Sequence, residues 1–550
     1  MNKPQSPLWT NSTSEARKTG TWRSALPDYQ NIPSPCLGAC PVDGEIATWL
    51  RQVTQIDHYG AWLTLMENNP FPAIAGRICH HPCQTACNRV QLDETVGICS
   101  LERFVGDKAI TEGWSIPKPE VERTESIAII GGGPAGLSAA YQLRRRGYQV
   151  TIYESREQLG GLLRYGIPAY RLDNSIVDAE VGRITDLGVK VHLGVEIMNS
   201  AALAKLKEDY SAVFLATGAS RPKALPGLDY SQPYVQDSAD FLAITNGGKT
   251  CELGENLLVI GGGSAAMDVA RTARRLGRHV TVLTLESDEN LPAQRTEVDE
   301  AREENVEFIC GAMLKDVNST KDGLILTCAR VDFQPGAAKG QFTTTQIEGS
   351  EFELRVDAII PAIGQDADLA RWQDVVPGDK GLIDTDQSWR TQTEGIFAAG
   401  DVASMARFVT EAVGQAKHAA VAIARYVSPD EAKDPPPLLA EAKFNVINTA
   451  YHSPDARHNQ ENLKVEVRLQ SFDEVQIALS AEQAIAEAGR CFSCGTCIDC
   501  DNCYLYCPDM AISKLEGGGY VVNLDFCKGC GLCVAECPTG SIHMQEDLPS

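Results

Sequence analysis

The sequence predicts an α/β core of two Rossmann-like dinucleotide-binding domains, with a helical cysteine-containing domain before it and a small cysteine-rich domain after it. Two observations predict the core. Residues 121–428 alternate short apolar strands with alanine-rich helices, and a glycine-rich turn follows a strand at two places in this stretch. A third observation predicts the flanking domains, because sixteen of the 19 cysteines lie in two groups near the ends of the 550-residue chain.

The composition is that of a folded globular protein, with 43% hydrophobic and 22% charged residues. A net charge of -24 argues against nucleic acid as a partner, because nucleic-acid binding relies on Lys and Arg to neutralise phosphates. Residues 1–20 lack an apolar export segment, and no later stretch has the roughly 18 apolar residues of a membrane span. We therefore expect a cytoplasmic chain without membrane contact, whose closely spaced cysteines bind metal.

Changes in composition divide the chain into segments. We expect a helical domain at 1–120, a first dinucleotide-binding domain in two parts at 121–235 and 366–428, a second at 236–365, a linker at 429–485, and an internally duplicated cysteine-rich module at 486–550. The linker opens with Asp434-Pro435-Pro436-Pro437, and we expect it to pack against the rest of the chain.

The first glycine-rich turn has the full context of a dinucleotide site. The apolar strand 126–130 leads into Gly131, Gly133 and Gly136, and a helix follows. In this arrangement the first glycine makes the tight turn, the second lets a pyrophosphate approach the backbone, and the third allows close packing of the helix. Glu154, which lies 23 residues after Gly131, can accept hydrogen bonds from a ribose.

The second glycine-rich turn contains Gly261, Gly263 and Ala266, with alanine in the permitted third small position. Glu286 lies 25 residues after Gly261, where a carboxylate binds a ribose 2′-OH and repels a 2′-phosphate. This predicts a preference for NADH over NADPH. In the alternative, Glu286 points to solvent and Arg295 or another basic residue contacts the phosphate.

Two more signatures lie in the core. Gly218 ends an Ala-Thr-Gly run after an apolar strand, and Gly400-Asp401 follows a later strand. Together with the two fingerprints, they resemble two-dinucleotide flavoprotein reductases. The resemblance implies that FAD binds at the first fingerprint and the Gly-Asp signature, and NAD(P)H at the second fingerprint. No cysteine lies between Gly131 and Gly218 to form a redox disulfide beside the flavin, so we expect an iron–sulfur acceptor.

The C-terminal cysteines have the spacing of a bacterial two-cluster ferredoxin, twice over, with a proline after each run. In such a module the fourth cysteine of each run binds the other [4Fe-4S] cluster. The predicted ligand sets are therefore Cys497, Cys500 and Cys503 with Cys537, and Cys527, Cys530 and Cys533 with Cys507. Structural zinc is the alternative. The spacing predicts a bacterial-type ferredoxin domain at the C-terminus.

The N-terminal cysteines are spaced more loosely, so zinc or buried thiols remain alternatives on spacing alone. They are Cys36, Cys40, Cys79, Cys83, Cys87 and Cys99. However, residues 30–430 resemble the small (beta) subunit of bacterial glutamate synthase, the N-terminal half of dihydropyrimidine dehydrogenase, and the NADPH-binding subunit of electron-bifurcating ferredoxin transhydrogenases. The shared motifs are Gly76-Arg77-Ile78-Cys79, Cys87-Asn88, the loop from Gly160 to Pro168, and Ala265-Ala266-Met267-Asp268.

The resemblance implies a helical iron–sulfur domain and several binding roles. Gly161 becomes a cofactor-binding residue, and Cys40, Cys79, Cys83 and Glu102 become the ligands of one cluster. Cys99 is the rival fourth ligand, and Glu102 as an ordinary exposed glutamate is the other possibility. NADPH-using relatives have Tyr-Arg-Arg where this chain has Thr284-Leu285-Glu286, which also favours NADH.

The sequence departs from these relatives at one point. They carry an Arg-Cys-x-x-Cys-Gly run just before their first N-terminal ligands, and this chain has none upstream of Cys36. The run occurs instead around Cys491 and Cys494, which the ferredoxin spacing leaves unused. The resemblance therefore implies that these two cysteines complete a cluster with Cys36 and Cys87, with the C-terminus folded back over the N-terminus. Two spare thiols near the ferredoxin clusters are the alternative.

The leading hypothesis for function is an iron–sulfur flavoprotein oxidoreductase. It would pass electrons between NADH and a protein partner through FAD and four [4Fe-4S] clusters, as one subunit of a hetero-oligomer. The segment from Cys503 to Asp509 resembles the ferredoxin-like subunit of 2-oxoacid:ferredoxin oxidoreductases, so such an enzyme, or a ferredoxin, is a candidate partner. A glutamate synthase small subunit and a non-enzymatic electron-carrier scaffold are the alternatives.

Overall fold

The computed structural model describes residues 18–249, 251–321, 323–336, 341–379, 381–429 and 440–547. The Asp434–Pro437 run with which the predicted linker opens lies outside these residues. Within them, the chain forms the predicted α/β core with a helical domain before it and a ferredoxin-like domain after it.

The N-terminal domain consists of the helices Pro35–Ala39, Ile46–Thr54, His58–Asn68, Pro72–Ile78, Pro82–Thr85 and Ile98–Thr111. Three of them begin with proline, whose fixed φ and missing N–H suit the first helical position. Gly76 and Gly106 let the fourth and sixth helices cross closely. A Cβ at either position would lie 2.2 or 2.3 Å from a backbone nitrogen of the other helix.

The first core domain has a five-stranded parallel sheet. Its order is Ile396–Ala398, Ala212–Leu215, Ser126–Ile130, Gln149–Glu154 and Lys190–Leu193. The central strand is apolar after Ser126 because alternate residues enter different cores. Ile127 and Ile129 enter one core, and Ala128 and Ile130 enter the other. The helices are Pro134–Arg145, Leu162–Tyr165, Asn174–Thr185, Ser200–Asp209 and Val409–Val427.

The second core domain is inserted into the first. Its parallel sheet has the order Ala358–Pro361, Asn256–Ile260, His279–Thr284 and Glu307–Cys310, with helices Ser238–Asn246, Ser264–Arg275 and Arg295–Glu303. It also carries an antiparallel sheet of Ala312–Thr320, Gly323–Pro335 and Phe342–Val356, which the sequence analysis did not predict. Short strand pairs join Arg221–Pro222 to Gln365–Asp366 and Gly378–Asp379 to Leu382–Ile383.

The C-terminal module has two short helices, Asn502–Leu505 and Leu532–Ala535, and the hairpin Ile512–Lys514 with Tyr520–Val522. Its last strand, Ile542–Glu546, pairs with Ala25–Tyr29 in antiparallel register. Residues 25–29, which lie within the segment 1–120 expected to form the helical domain, thus complete a sheet of the C-terminal module. The two ends of the chain are joined by this pairing.

The segment 440–485, with the helix Val465–Arg468 and the start of Ala481–Gly489, packs against three domains. Glu474 pairs with Arg77 and Arg103 of the helical domain at 2.5 and 2.7 Å. The Arg468 guanidinium lies 2.7 Å from Glu303 of the second core domain. We call this segment the strap. Among the described helices, none has the length and apolar character needed to cross a bilayer.

Candidate functional site

The first glycine turn has the tight geometry that its sequence predicts. Gly131 adopts φ +105°, and a Cβ there would lie 2.4 Å from the Ala216 carbonyl oxygen. At Gly136 a Cβ would lie 1.9 Å from the Gly131 oxygen, so the helix Pro134–Arg145 could not pack against the turn. The N-terminus of this helix, with its unpaired N–H groups, faces the cleft at the end of the sheet.

Most of the residues predicted to bind FAD line this cleft. They are Gly131, Gly133, Glu154, Gly161, Gly218 and Asp401. Gly136 and Gly400 lie behind it: a Cβ on Gly400 would come within 3.0 Å of Ala135. Gly161 has φ +52°, and a Cβ there would lie 2.8 Å from the Gly133 Cα. The two glycines therefore keep the cleft wall free of side chains where an extended nucleotide would lie.

Glu154 is buried at the end of its strand and is held by the turn itself. Its carboxylate accepts the N–H of Gly132 at 2.7 Å and the N–H of Arg156 at 2.8 Å, one on each oxygen. The oxygen that accepts from Arg156 also accepts the Ser155 hydroxyl at 3.2 Å, whereas the oxygen that accepts from Gly132 can accept a second hydrogen bond. The side chain is thus fixed in position with acceptor capacity left towards the cleft.

The second turn repeats this design. Gly261 has φ +135° and a virtual Cβ 2.5 Å from the Ala362 oxygen, whereas a Cβ on Gly263 would meet nothing within 4 Å, so the backbone is open to a ligand. Ala266 is fully buried under the turn. Beyond the second strand, the half-buried Glu286 carboxylate accepts the Thr284 hydroxyl.

The basic residue considered as a phosphate ligand is engaged elsewhere. Arg295 pairs with Asp288 at 3.4 Å and with Asp299 at 3.0 Å. Arg302 also pairs with Asp288. Both guanidinium groups thus have carboxylate partners within this chain.

The ferredoxin cysteines divide into the two predicted groups. Cys507, Cys527, Cys530 and Cys533 line one small cavity. In the other group, burial raises the pKa of Cys497 and Cys500, and the Cys537 thiol is a neighbour of both. Burial also acts to raise the pKa of Cys537, but hydrogen bonds from Ser541 and Thr539 outweigh it, so the net pKa is lowered.

The N-terminal cysteines also form two groups, and one of them includes Cys491 and Cys494. These two line a small cavity together with Cys36 and Cys87. Burial raises the pKa of Cys36 to about 12, although Ser34 lowers it, and of Cys494 to about 11. The structure therefore brings thiols about 400 residues apart into one space. The described residues contain no group of three His, Cys, Asp or Glu side chains suited to a single metal ion.

Glu102 lies with the other group. Burial raises the pKa of Cys79 to about 12, with the Glu102 carboxylate as the next contributor, and Glu102 is also a neighbour of Cys40 and Cys83. Its carboxylate accepts the Asn69 amide at 2.9 Å. The Cys99 thiol instead donates to the Ala75 carbonyl at 3.5 Å within its own helix pair. Both side chains thus lie near this group, Glu102 beside all three cysteines and Cys99 beside Cys79.

Comparison with known proteins agrees with this architecture. The family model described as pyridine nucleotide-disulphide oxidoreductase matches residues 125–422, which is more than half of the chain. The chain belongs to this family. On either side of the family core, a model described as dihydropyrimidine dehydrogenase domain II, 4Fe-4S cluster, matches residues 29–114, and a 4Fe-4S dicluster domain matches residues 496–541.

Curated relatives extend the similarity beyond the pyridine nucleotide-disulphide oxidoreductase core. The chain is 32% identical to the NADP(+)-dependent formate dehydrogenase subunit beta of Moorella thermoacetica, over 84% of this chain and 71% of that one. It is 35% identical to the NAD-dependent dihydropyrimidine dehydrogenase subunit PreT of Escherichia coli (72% and 91%) and 32% identical to the glutamate synthase [NADPH] small chain of Azospirillum brasilense (74% and 89%). The predicted resemblance is confirmed: this is an NAD(P)H-dependent iron–sulfur flavoprotein oxidoreductase.

In this family member, one helix connects the nucleotide cleft to the nearer cysteine group. Val409 and Ala412, in the first turn of Val409–Val427, line the cleft, whereas the buried Thr410 hydroxyl lies 3.7 Å from the Cys79 thiol. Just before the helix, Phe408 lines the cleft and stacks on His80, with ring centroids 4.0 Å apart. Sequence reasoning missed Thr410 and Phe408, because no local pattern shows which residues separate two sites.

The Arg-Cys-x-x-Cys-Gly run is anchored on the helical domain by buried charges. Arg490 donates to the Glu94 carbonyl at 2.7 Å and pairs with Asp93 and Glu487. The fully buried Glu487 also accepts the N–H of Gly97 at 2.7 Å and that of His458 at 2.8 Å. This network fixes Cys491 against the N-terminal thiols and joins the strap to the same point.

Removing the Glu487 carboxylate should destabilise this junction. Glu487→Ala leaves the buried Arg490 without its nearest carboxylate and two backbone N–H groups without acceptors. Breaking one member of such a buried pair costs about 3–5 kcal/mol, to be measured by urea denaturation. Glu482→Ala, an exposed substitution in the same helix, is the control and should lower stability far less than Glu487→Ala does. If Glu487→Ala and Glu482→Ala lowered the free energy of unfolding equally, the buried Glu487 network would not be what stabilises this junction.

Proposed function

We propose that this family member transfers electrons between NADH and a protein redox partner by means of one FAD and four [4Fe-4S] clusters. When bound, FAD exchanges electron pairs with a nicotinamide and single electrons with clusters. The observation that carries the proposal is the contact through Val409–Val427, which places the first cysteine group directly behind the wall of the nucleotide cleft. Cys83 of this group is a neighbour of Cys36, so the group of Cys36, Cys87, Cys491 and Cys494 adjoins it.

The proposed cluster ligands follow the grouping of the side chains. One set is Cys40, Cys79, Cys83 and Glu102, and a second is Cys36, Cys87, Cys491 and Cys494. The ferredoxin sets are Cys497, Cys500, Cys503 and Cys537, and Cys507, Cys527, Cys530 and Cys533. Buried thiols converging on a shared space are the donors that iron–sulfur clusters take. Cys494 and Cys497 are three residues apart, so the second set adjoins the ferredoxin module.

The proposed nucleotide roles rest on the two turns. FAD is assigned to the cleft of Gly131, Gly133 and Glu154, and NADH to the turn of Gly261 and Gly263. The preference for NADH is supported by the Thr284-held carboxylate of Glu286 and by the pairing of Arg295 with two carboxylates. The relatives include both NAD- and NADP-dependent proteins, so the family does not determine which nucleotide is preferred. The proposed preference for NADH rests on the residues of this chain.

We further propose that the chain is a subunit of a hetero-oligomer, as the names of two of the relatives state for those proteins. A 2-oxoacid oxidoreductase or a ferredoxin is a candidate partner. The role of a glutamate synthase small subunit is less well supported, because the ferredoxin module at 496–541 would have no task in it.

The proposal is tested by adding NADH to the full chain without oxygen. NADH should bleach the flavin absorbance and then the broad cluster absorbance, with much less bleaching by an equal amount of NADPH. A flavin that stays oxidised would support the electron-carrier scaffold instead. Full flavin bleaching with unchanged clusters would contradict the proposed route while leaving an NADH-dependent flavoprotein.

Thr410 should affect the reduction potential of the cluster nearest the cleft. The Cys79 thiol donates to the Thr410 hydroxyl at 3.7 Å, and a cluster-bound Cys79 thiolate, which has no proton, would instead accept from that hydroxyl. A hydrogen bond to a ligand sulfur stabilises the reduced, more negative cluster, so Thr410→Val should lower its reduction potential. One lost hydrogen bond corresponds to about 60 mV if it changes a one-electron equilibrium tenfold. An EPR-monitored redox titration measures the shift. Thr410→Ser keeps the hydroxyl and should retain the native potential. If Thr410→Val and Thr410→Ser change the reduction potential equally, the Thr410 hydroxyl is not what sets it.

A further inference from the structure

The C-terminal module contains two copies of one cysteine motif, and the two copies have different surroundings. Between Cys533 and Cys537 the short helix carries Val534, Ala535 and Glu536, and Pro538–Gly540 follow. Between Cys503 and Cys507 the equivalent positions are Tyr504, Leu505 and Tyr506, and Met510 is the counterpart of Gly540. We call Tyr504, Leu505, Tyr506 and Met510 the ferredoxin face.

The second copy is covered by the chain itself. The Asn448 amide donates to the Ala535 carbonyl at 2.8 Å, and the His452 ring lies 3.3 Å from the Pro538 carbonyl oxygen. A Cβ on Gly540 would lie 2.5 Å from the Val446 side chain. The strap thus closes this side of the module, and Pro538 and Gly540 are buried.

The first copy is open although its side chains are larger and more apolar. Leu505 is 70% exposed and Met510 is 84% exposed, and Tyr504 and Tyr506 are exposed beside them. The strap reaches only the border of the face, where Tyr451 lies next to Tyr506 while bonding Glu536. The face therefore adjoins the surface that the strap covers, but the described residues leave the face itself exposed. Exposed apolar groups of this kind mark interaction sites.

The face lies over the last cysteine group. Asp509, next to Met510, lines the same cavity as Cys507, Cys527 and Cys530. Asp509 also lies 3.4 Å from Lys528, which holds the loop of Cys527 against the face. Cys530 is itself exposed. A protein bound here would approach this cysteine group more closely than from the strap-covered side.

The charge of the module indicates the kind of partner. Residues 491–547 contain eight acidic residues and two lysines, a formal net charge of -6. Five of these acids are paired: Asp499 with Arg51, Asp501 with Lys514, Asp509 with Lys528, Asp525 with Lys18 and Asp547 with Arg23. Opposite charges around a contact guide redox proteins into short-lived complexes, whose interfaces are small. Three carboxylates remain in excess over the paired cations, and one of them, Glu536, lies at the border of the face beside Tyr451. This negative excess and the apolar centre fit a partner with an apolar contact patch and a basic rim.

We propose that the ferredoxin face is the docking site of a redox-partner protein with an apolar contact patch and a basic rim, and that electrons pass there between that protein and the cluster of Cys507, Cys527, Cys530 and Cys533. The proposal rests on the proposed function for its clusters. It adds the surface and the partner chemistry.

Horse-heart cytochrome c serves as the probe, because lysines surround its haem edge and its ferric haem takes one electron. The full chain is reduced with dithionite, freed of excess reductant and mixed with cytochrome c in a stopped-flow spectrometer. Leu505→Asn/Met510→Asn should lower the second-order rate constant at least fivefold. The control Val121→Asn/Met198→Asn, at two exposed apolar positions elsewhere, should change it less than twofold. The native rate should fall as salt is added.

Equal rates for the two double variants, or a native rate independent of salt, would overturn the proposal. So would a native dimer by sedimentation that Leu505→Asn/Met510→Asn converts to monomer, since a second copy would then cover the face. Because dithionite supplies the electrons, this result is independent of whether NADH reduces the chain. If NADH does not bleach the flavin, the proposed function is contradicted. If the stopped-flow result with cytochrome c is not as expected, the docking face is contradicted.

Discussion

The double variant Cys491→Ala/Cys494→Ala is expected to lose one entire [4Fe-4S] cluster, about four of sixteen iron atoms, while both ferredoxin clusters remain. The reason is the shared cavity of Cys36, Cys87, Cys491 and Cys494, in which the variant leaves only two thiols. Two thiols cannot replace the four ligands of such a cluster. Iron analysis of anaerobically purified protein, with EPR of the dithionite-reduced sample, measures the loss.

A matched control uses cysteines outside the four groups. Cys251 and Cys310 are also half-buried, and Cys251→Ala/Cys310→Ala should keep the full iron content. If Cys491→Ala/Cys494→Ala retained all its iron, the two cysteines would be spare thiols. If it lost a ferredoxin cluster instead, the grouping in the structure would be wrong.

The second large effect concerns the nicotinamide nucleotide. The native chain should show a higher kcat/KM for NADH than for NADPH, and Glu286→Ala should lower the value for NADH by about tenfold or more. A hydrogen bond to a charged group contributes about 1.5–3 kcal/mol, and the carboxylate held by Thr284 is the proposed acceptor for the ribose. The same variant should lower the ratio of kcat/KM for NADH to kcat/KM for NADPH, because the carboxylate that repels the 2′-phosphate of NADPH is gone.

Steady-state kinetics with ferricyanide as acceptor provides this comparison. Glu289→Ala, which removes an exposed carboxylate three residues away, is the control and should leave both values within about twofold. A native preference for NADPH, or an unchanged ratio in Glu286→Ala, would show that another residue selects the nucleotide.

The sequence predicts the sites whose residues are close together in the chain. Gly131 and Gly261 each follow a buried strand within a few residues, so the strand, turn and helix can be identified locally. The ferredoxin runs are equally local. The grouping of Cys491 with Cys36 depends on contact across the whole chain, and it could be anticipated only because a relative's motif is displaced.

Other features could not be predicted, because they arise from packing between distant segments. Nothing local in residues 25–29 indicates that they pair with Ile542–Glu546. The contacts of Glu474 and Glu487 join residues several hundred positions apart. In the sequence alone, neither residue can be distinguished from an ordinary surface glutamate. The ferredoxin face is a similar case, since the sequence shows that its side chains differ from those of the second copy but not that the strap covers only the second copy.

The most direct test of the whole account is the metal and flavin content of the anaerobically purified chain, followed by NADH reduction of the same sample. We predict one FAD and about sixteen iron atoms per chain, with NADH-dependent loss of both flavin and cluster absorbance. Zinc in place of iron, or an iron content near eight, would contradict the four-cluster arrangement.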